Sequence, residues 1–186
     1  MTGPKNSTAL LVIDMLNDYL APKGKLYCAP GRAIIPNIKR LIGLARGRDW
    51  PIIFVNTALS GCKNPLAEKW GMHARKGSWG AEIIPALKPA AGDRIVDKST
   101  YDGFYDTDLE KILRELQVKT VVVTGIHTHV CVLLTALGAF YRGFKVVAIE
   151  ECMTTDQPVN HDTRLPFFKT HVGQLMKFED FIRRYF

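Results

Sequence analysis

The chain alternates between wholly apolar runs and segments with helical hydrophobic spacing. Ala9 to Ile13 (ALLVI) is an apolar, β-branched run that ends at Asp14, and Ile34 to Leu44 carries apolar residues at helical spacing. Pro51 to Val55 reads as a second strand, Arg94 to Val96 as a short one, and Lys119 to Thr124 as the most completely buried. Asp106 to Leu116 (DTDLEKILREL) is an amphipathic helix with acidic residues at its positive end. An Ala/Leu-rich helix opens at Cys131, a strand follows at Phe144 to Ile149, and a helix is expected within Asn160 to Thr170. Gln174 to Met176 reads as a last short strand and Phe178 to Tyr185 as a terminal helix. Continuous apolar strands separated by helices imply a parallel sheet covered on both faces, the doubly wound α/β class. Ligands in that class bind beyond the carboxyl ends of the strands, where the chain order crosses over.

Composition narrows the picture. With 186 residues, 47% hydrophobic, and no repeat, linker or low-complexity tract, residues 1–186 suit one domain with a substantial core. The longest apolar segments are about half a membrane span. The start MTGPKNST has no charged end followed by a long apolar stretch, so neither anchor nor signal peptide is expected. Four cysteines, at 28, 62, 131 and 152, show no C-x-x-C spacing, which fits reduced thiols and a cytoplasmic location. The net charge of +7 is scattered, with no basic run interleaved with aromatics. That pattern argues for solubility or anion attraction and against nucleic-acid binding.

Candidate chemistry gathers where the doubly wound class places its crevice. The stretch TVVVTGIHTHVCVLLTALGAFYRG, from Thr120 to Gly143, breaks at Gly125 and sets Cys131 at a helix start. Unpaired N–H groups and the helix dipole there ease ionisation of a thiol. The plain alternative is a small buried hydrophobe. Asp14 closes the first strand and can act as the base that takes the thiol proton and returns it to a leaving amine, or else as a cap. Lys98, just after the short strand, can favour thiolate and carboxylate by charge, or be an ordinary exposed lysine.

Four blocks carry a resemblance across nearly the whole chain: LLVIDMLNDY (10–19), WGMHARKGSWGAEI (70–83), DKSTYDGFYDTDL (97–109) and TGIHTHVCVLLTALGAFYRGFKV (124–146). In this order they resemble the isochorismatase-like cysteine hydrolases, the superfamily of nicotinamidases and N-carbamoylsarcosine amidohydrolase. The resemblance implies a three-layer α/β/α fold with a six-stranded, mostly parallel, Rossmann-like sheet. It also implies a catalytic triad of Asp14, Lys98 and Cys131 that hydrolyses a small amide or carbamoyl compound with water through a thioester. A cis peptide at Ile126-His127 and an oxyanion hole from the backbone N–H groups of His127 and Cys131 are implied as well. Relatives often form homodimers or homotetramers. The aromatic tail (178–186), Trp70 and Trp79 are candidates for an interface or for closing the core.

Departures from the family pattern shape the rest. Nicotinamidases hold a metal through an Asp-x-His pair after the second strand and further histidines. Here the stretch is NTALSG, with Ala58 and Ser60 at those positions and His73 alone retained. One imidazole makes a poor zinc site, so no metal and no cofactor are expected. His127 and His129 form an H-x-H pair without an evident third ligand. Leu16 stands where many relatives carry Gln, which makes the pocket more apolar. Asn17, His73, Phe104 and Tyr105 are candidates for framing or contacting substrate, with specificity expected from residues 57–79, 100–105 and 152–165. True isochorismatases cleave a vinyl ether and lack the nucleophilic cysteine, so Cys131 favours C–N hydrolysis. An ether hydrolase and a non-catalytic binding domain of the same fold are the alternatives. Redox cycling of Cys131 with Cys152 is a further one.

Overall fold

The computed structural model describes residues 7–61 and 63–186; Cys62 and the first six residues lie outside it. Among the described residues, six strands form one sheet in the order β3-β2-β1-β4-β5-β6. They are β1 (Thr8–Ile13), β2 (Ile52–Thr57), β3 (Arg94–Lys98), β4 (Thr120–Ile126), β5 (Lys145–Thr154) and β6 (Gln174–Met176). Every neighbouring pair is parallel.

Alternation along the buried strands divides the side chains between two cores. Leu10, Val12 and Val122 face one core. Ile38, Leu41 and Ala45 of helix α2 (Ile35–Gly47) and Phe181 of α8 (Phe178–Tyr185) complete it. Ala9, Leu11, Ile13, Val121 and Val123 face the other core. There they meet Leu109 and Leu113 of α4 (Leu109–Glu115), Ala136 and Ala139 of α5 (Leu133–Tyr141), and Phe168 of α7 (Arg164–His171). Both faces of β1 and β4 are therefore dry, which is why their sequences read as unbroken apolar runs.

The strand pattern expected from sequence holds, with longer ends. β3 runs on to Lys98, so this lysine sits on the strand itself. β5 continues five residues past Ile149, with a shift of register against β4 between Val123 and Gly125. Short helices α1 (Asn17–Leu20) and α3 (Pro65–Trp70) were not foreseen, because four and six residues carry too little periodicity. The Asn160–Thr170 region is two helices, α6 (Pro158–Asp162) and α7, joined at Thr163. The tail closes a core: Phe181 stacks on Tyr185 and packs edge-on to Trp50.

β1, β2 and β3 are added to one side of the sheet and β4, β5 and β6 to the other. The order reverses between β1 and β4, and the crevice beyond their carboxyl ends is the topological switch point.

Candidate functional site

Asp14, Lys98 and Cys131 converge at this switch point. Asp14 follows the last residue of β1 with φ at 53°, in the left-handed region that aspartate tolerates better than most residues. Its N–H is tied to the Val55 carbonyl at 3.0 Å. Its Oδ1 accepts the Thr57 N–H at 2.6 Å and its Oδ2 accepts from Lys98 Nζ at 2.8 Å. Both side chains of this ion pair are buried. Lys98 Nζ also donates to Thr57 Oγ1 at 2.8 Å, to the Thr100 carbonyl at 3.1 Å and, at 3.5 Å, to Cys131 Sγ. Four acceptors surround an ammonium with three protons, so the sulfur, the most distant, competes with three oxygens.

Gly125 makes the closeness of β1 and β4 achievable here. Its φ is 113°, and a Cβ on it would lie 2.0 Å from the Ile13 carbonyl oxygen. The Ile126-His127 peptide that follows is cis. Cys131 lies on a π-helical turn, Thr128–Val132, that leads into α5.

The thiol's environment corrects one expectation. A helix start was expected to ease ionisation, but burial, with Asp14 beside it, pushes the Cys131 thiol well above its ordinary range, and Lys98 only partly offsets this. The hydrogen bond to the sulfur comes from Lys98 Nζ, while the neighbouring Asp14 carboxylate disfavours loss of the thiol proton. For Lys98, burial works against the charge, but Asp14 and Cys131 outweigh it and hold the ammonium above its usual range. Burial and the Asp14 charge together work against a standing thiolate.

A cavity of about 400 Å³ opens over Cys131. Asp14, Thr57, Tyr19, His73, His127 and His129 line it, with Tyr27, Trp70 and Tyr101 among its aromatic walls. Trp70 Nε1 donates to the Tyr101 hydroxyl at 2.8 Å, joining α3 to the loop after β3. His127 Nδ1 meets Thr155 Oγ1 at 3.1 Å, and Thr155 donates to Asp156 at 2.8 Å. Burial holds the His127 imidazole below its ordinary pKa, so the ring is neutral near pH 7.

The sequence candidates separate. His73 lines the cavity, its Nδ1 2.8 Å from the Gly71 carbonyl. Asn17 does not line the cavity; its side chain donates to the Trp79 carbonyl at 2.9 Å. Phe104 is a core residue that stacks on Phe144, and Tyr105 is 61% exposed; neither lines the cavity. The described cysteines are free thiols. Cys152 packs in the opposite core from Cys131, so the sheet separates the two.

Sequence reading passed over Thr57 and Tyr19, although Tyr19 closes the DMLNDY block. It also passed over Asp18, a buried carboxylate that accepts the Ala74 N–H at 2.7 Å and the Lys25 N–H at 3.2 Å. Asp18 thereby pins two cavity loops, and Gly80 leaves room for it, since a Cβ there would lie 2.2 Å from Asp18 Oδ2.

The nicotinamidase type of metal centre does not fit these residues. Ala58 and Ser60 offer no imidazole or carboxylate. No group of three or more His, Cys, Asp or Glu that could hold a metal is found among the described residues.

Comparison with known proteins places the chain. Residues 8–180 match the isochorismatase domain model, and the chain belongs to the isochorismatase family. Its buried Asp14–Lys98–Cys131 cluster is the triad of a cysteine hydrolase. An isochorismatase-like hydrolase from Alkaliphilus metalliredigens superposes with a TM-score of 0.91 at 32% identity, over 96% of this chain and 99% of that one. N-carbamoylsarcosine amidase from Thermoplasma acidophilum gives 0.84 at 29% identity, over 92% and 96%. The ureidoacrylate amidohydrolase RutB of Yersinia enterocolitica is 32% identical over 173 residues, 80% of this chain and 75% of RutB.

Proposed function

We propose that residues 1–186 form one hydrolase domain that cleaves a C–N bond of a small amide or carbamoyl compound without a metal. The carrying observation is the buried Lys98, which contacts Cys131 Sγ and is paired with Asp14, at an aromatic-walled cavity that Asp14 and Cys131 line. Two of the relatives above are named for acting on N-carbamoyl or ureido compounds, which supports that substrate class here.

In this reading Cys131 Sγ attacks the substrate carbonyl while its proton passes to Asp14. A C–S bond forms, and the oxyanion is met by the backbone N–H groups of His127 and Cys131. Asp14 then protonates the leaving nitrogen as the C–N bond breaks, releasing ammonia or an amine. Water attacks the thioester with Asp14 again as base, C–S cleaves, and the thiol is restored. Lys98 keeps Asp14 oriented between these transfers. His73 contacts substrate and Asn17 frames the wall.

Metal-free chemistry is supported by Ala58 and Ser60, which offer no imidazole or carboxylate and leave His73 as a single imidazole. No helix among the described residues is long and apolar enough to cross a membrane. Action in the cytoplasm and assembly into two or four copies complete the proposal; the first rests on the cysteine pattern and the second on the family resemblance. Light scattering tests the assembly. The chemistry is tested by acid-quenching the protein with N-carbamoylsarcosine or ureidoacrylate and weighing the Cys131 peptide. An acyl adduct on Cys131 is expected. Turnover of isochorismate with no adduct would favour the ether hydrolase instead.

A further inference from the structure

Thr155 and Asp156, just past the end of β5, fix where the His127 ring carries its proton. His127 Nδ1 lies 3.1 Å from Thr155 Oγ1, and Thr155 Oγ1 lies 2.8 Å from Asp156 Oδ1. Thr155 is buried, so its hydroxyl depends on these two partners. A threonine hydroxyl has one proton, and an ionised carboxylate can only accept. Burial works against the charge on Asp156, but the Thr155 hydrogen bond leads the contacts that outweigh it and hold the carboxyl below its ordinary range. The Thr155 proton is therefore committed to Asp156, and the hydrogen between Thr155 and His127 comes from Nδ1. The ring is neutral near pH 7, so Nε2 carries a lone pair and no proton. Nε2 has no hydrogen-bond partner among the described residues and is not one of the buried unpartnered atoms, and the ring lines the cavity over Cys131.

We propose that Asp156 and Thr155 lock His127 in the Nδ1–H tautomer, so that Nε2 offers the cavity a fixed acceptor for an N–H of the bound substrate. The class it selects is an amide or ureido compound with hydrogen on the nitrogen beside the carbonyl, over an ester of the same shape. The His127 side chain is thus a substrate-binding residue, and Thr155 and Asp156 are positioning residues. An unlocked imidazole could turn a donor toward an ester oxygen. The locked ring presents only a lone pair, which attracts an N–H and repels that oxygen. Neighbouring rings brace it edge-on, Tyr19 at 6.3 Å and His129 at 6.2 Å. The substrate N–H rests on the function proposed above, whereas the tautomer is independent of turnover.

The test has two readouts on the full chain. Nitrogen NMR of the labelled protein at pH 7 should show His127 protonated at Nδ1 and bare at Nε2. Thr155→Val should abolish that preference, Thr155→Ser should keep it, and Asp156→Ala, a change at an exposed position that spares the core, should give a mixture of tautomers. The second readout is alkylation of Cys131 at pH 8 by iodoacetamide and by methyl iodoacetate, followed by mass spectrometry of the Cys131 peptide. Both reagents carry a carbonyl, but only the first has an N–H to give. Thr155→Val should lower the iodoacetamide-to-ester rate ratio about fivefold, the size of one hydrogen bond, Asp156→Ala should lower it less, and Thr155→Ser should restore it. A merely structural role would slow both reagents together. A wild-type ring protonated at Nε2, or a ratio unmoved in both Thr155→Val and Asp156→Ala, would overturn the proposal. Failure of amide hydrolysis with the tautomer and the ratio effect intact would instead overturn the proposed function and leave the locked acceptor standing.

Discussion

Lys98 Nζ stands 2.8 Å from Asp14 Oδ2 but 3.5 Å from Cys131 Sγ, so the lysine serves the carboxylate first and the sulfur second. The charge pair is Asp14 with Lys98, and burial and Asp14 push the thiol beside it away from ionisation. This ordering sets what each substitution does.

The alkylation profile of Cys131 against pH should carry no inflection at the free-thiol value of about 8.5. Asp14 raises the thiol pKa and Lys98 lowers it. Asp14→Asn therefore moves the inflection to lower pH, while Lys98→Met moves it higher and slows alkylation at pH 8 on the order of tenfold. Iodoacetamide rates from pH 6 to 10, with the urea-unfolded chain as reference, check both signs. A wild-type inflection at or below 8.5 would contradict this account.

Lys98→Met also leaves the Asp14 carboxylate buried without its partner. A loss of about 3–5 kcal/mol is expected, and Asp14→Asn/Lys98→Met should recover part of it because the orphaned charge is gone. Urea unfolding of the three variants at pH 7 measures this; a double variant less stable than Lys98→Met would rule it out.

Gly125→Ala should disrupt the site before it disrupts the rest of the fold. The added Cβ meets the Ile13 carbonyl, and the positive φ disfavours any side chain. Destabilisation of about 3 kcal/mol or more is expected, with loss of Cys131 acylation. Wild-type stability and activity would show that β1 and β4 can part there without cost.

Dialysis against a strong chelator should leave activity unchanged, since Ala58 and Ser60 cannot ligate and His73 supplies one imidazole. Loss of activity that zinc restores would overturn the metal-free reading.

Much of this was legible in the sequence because it rests on strong local signals. Doubly dry strands such as Leu10–Ile13 leave no polar positions, so the parallel sheet shows in the hydrophobic pattern alone. Asp14, Lys98 and Cys131 each stand at or just past a strand end, and the crossover rule joins them. What stayed hidden depends on three-dimensional contact. Thr57 looks like any strand threonine until Lys98 reaches it from β3. Phe104 sits beside the site in sequence, yet its side chain turns into the core against Phe144. The Cys131 thiol was misjudged because dipole arguments assume an exposed helix start, and here desolvation is the larger effect.

The most direct measurement is ammonia release from N-carbamoylsarcosine, ureidoacrylate and simple amides by wild type and Cys131→Ala in metal-free buffer. Release from at least one ureido compound, lost with Cys131→Ala in a chain that remains folded, is the predicted result. Equal release by both proteins, or none from any compound, would contradict a cysteine hydrolase of C–N bonds.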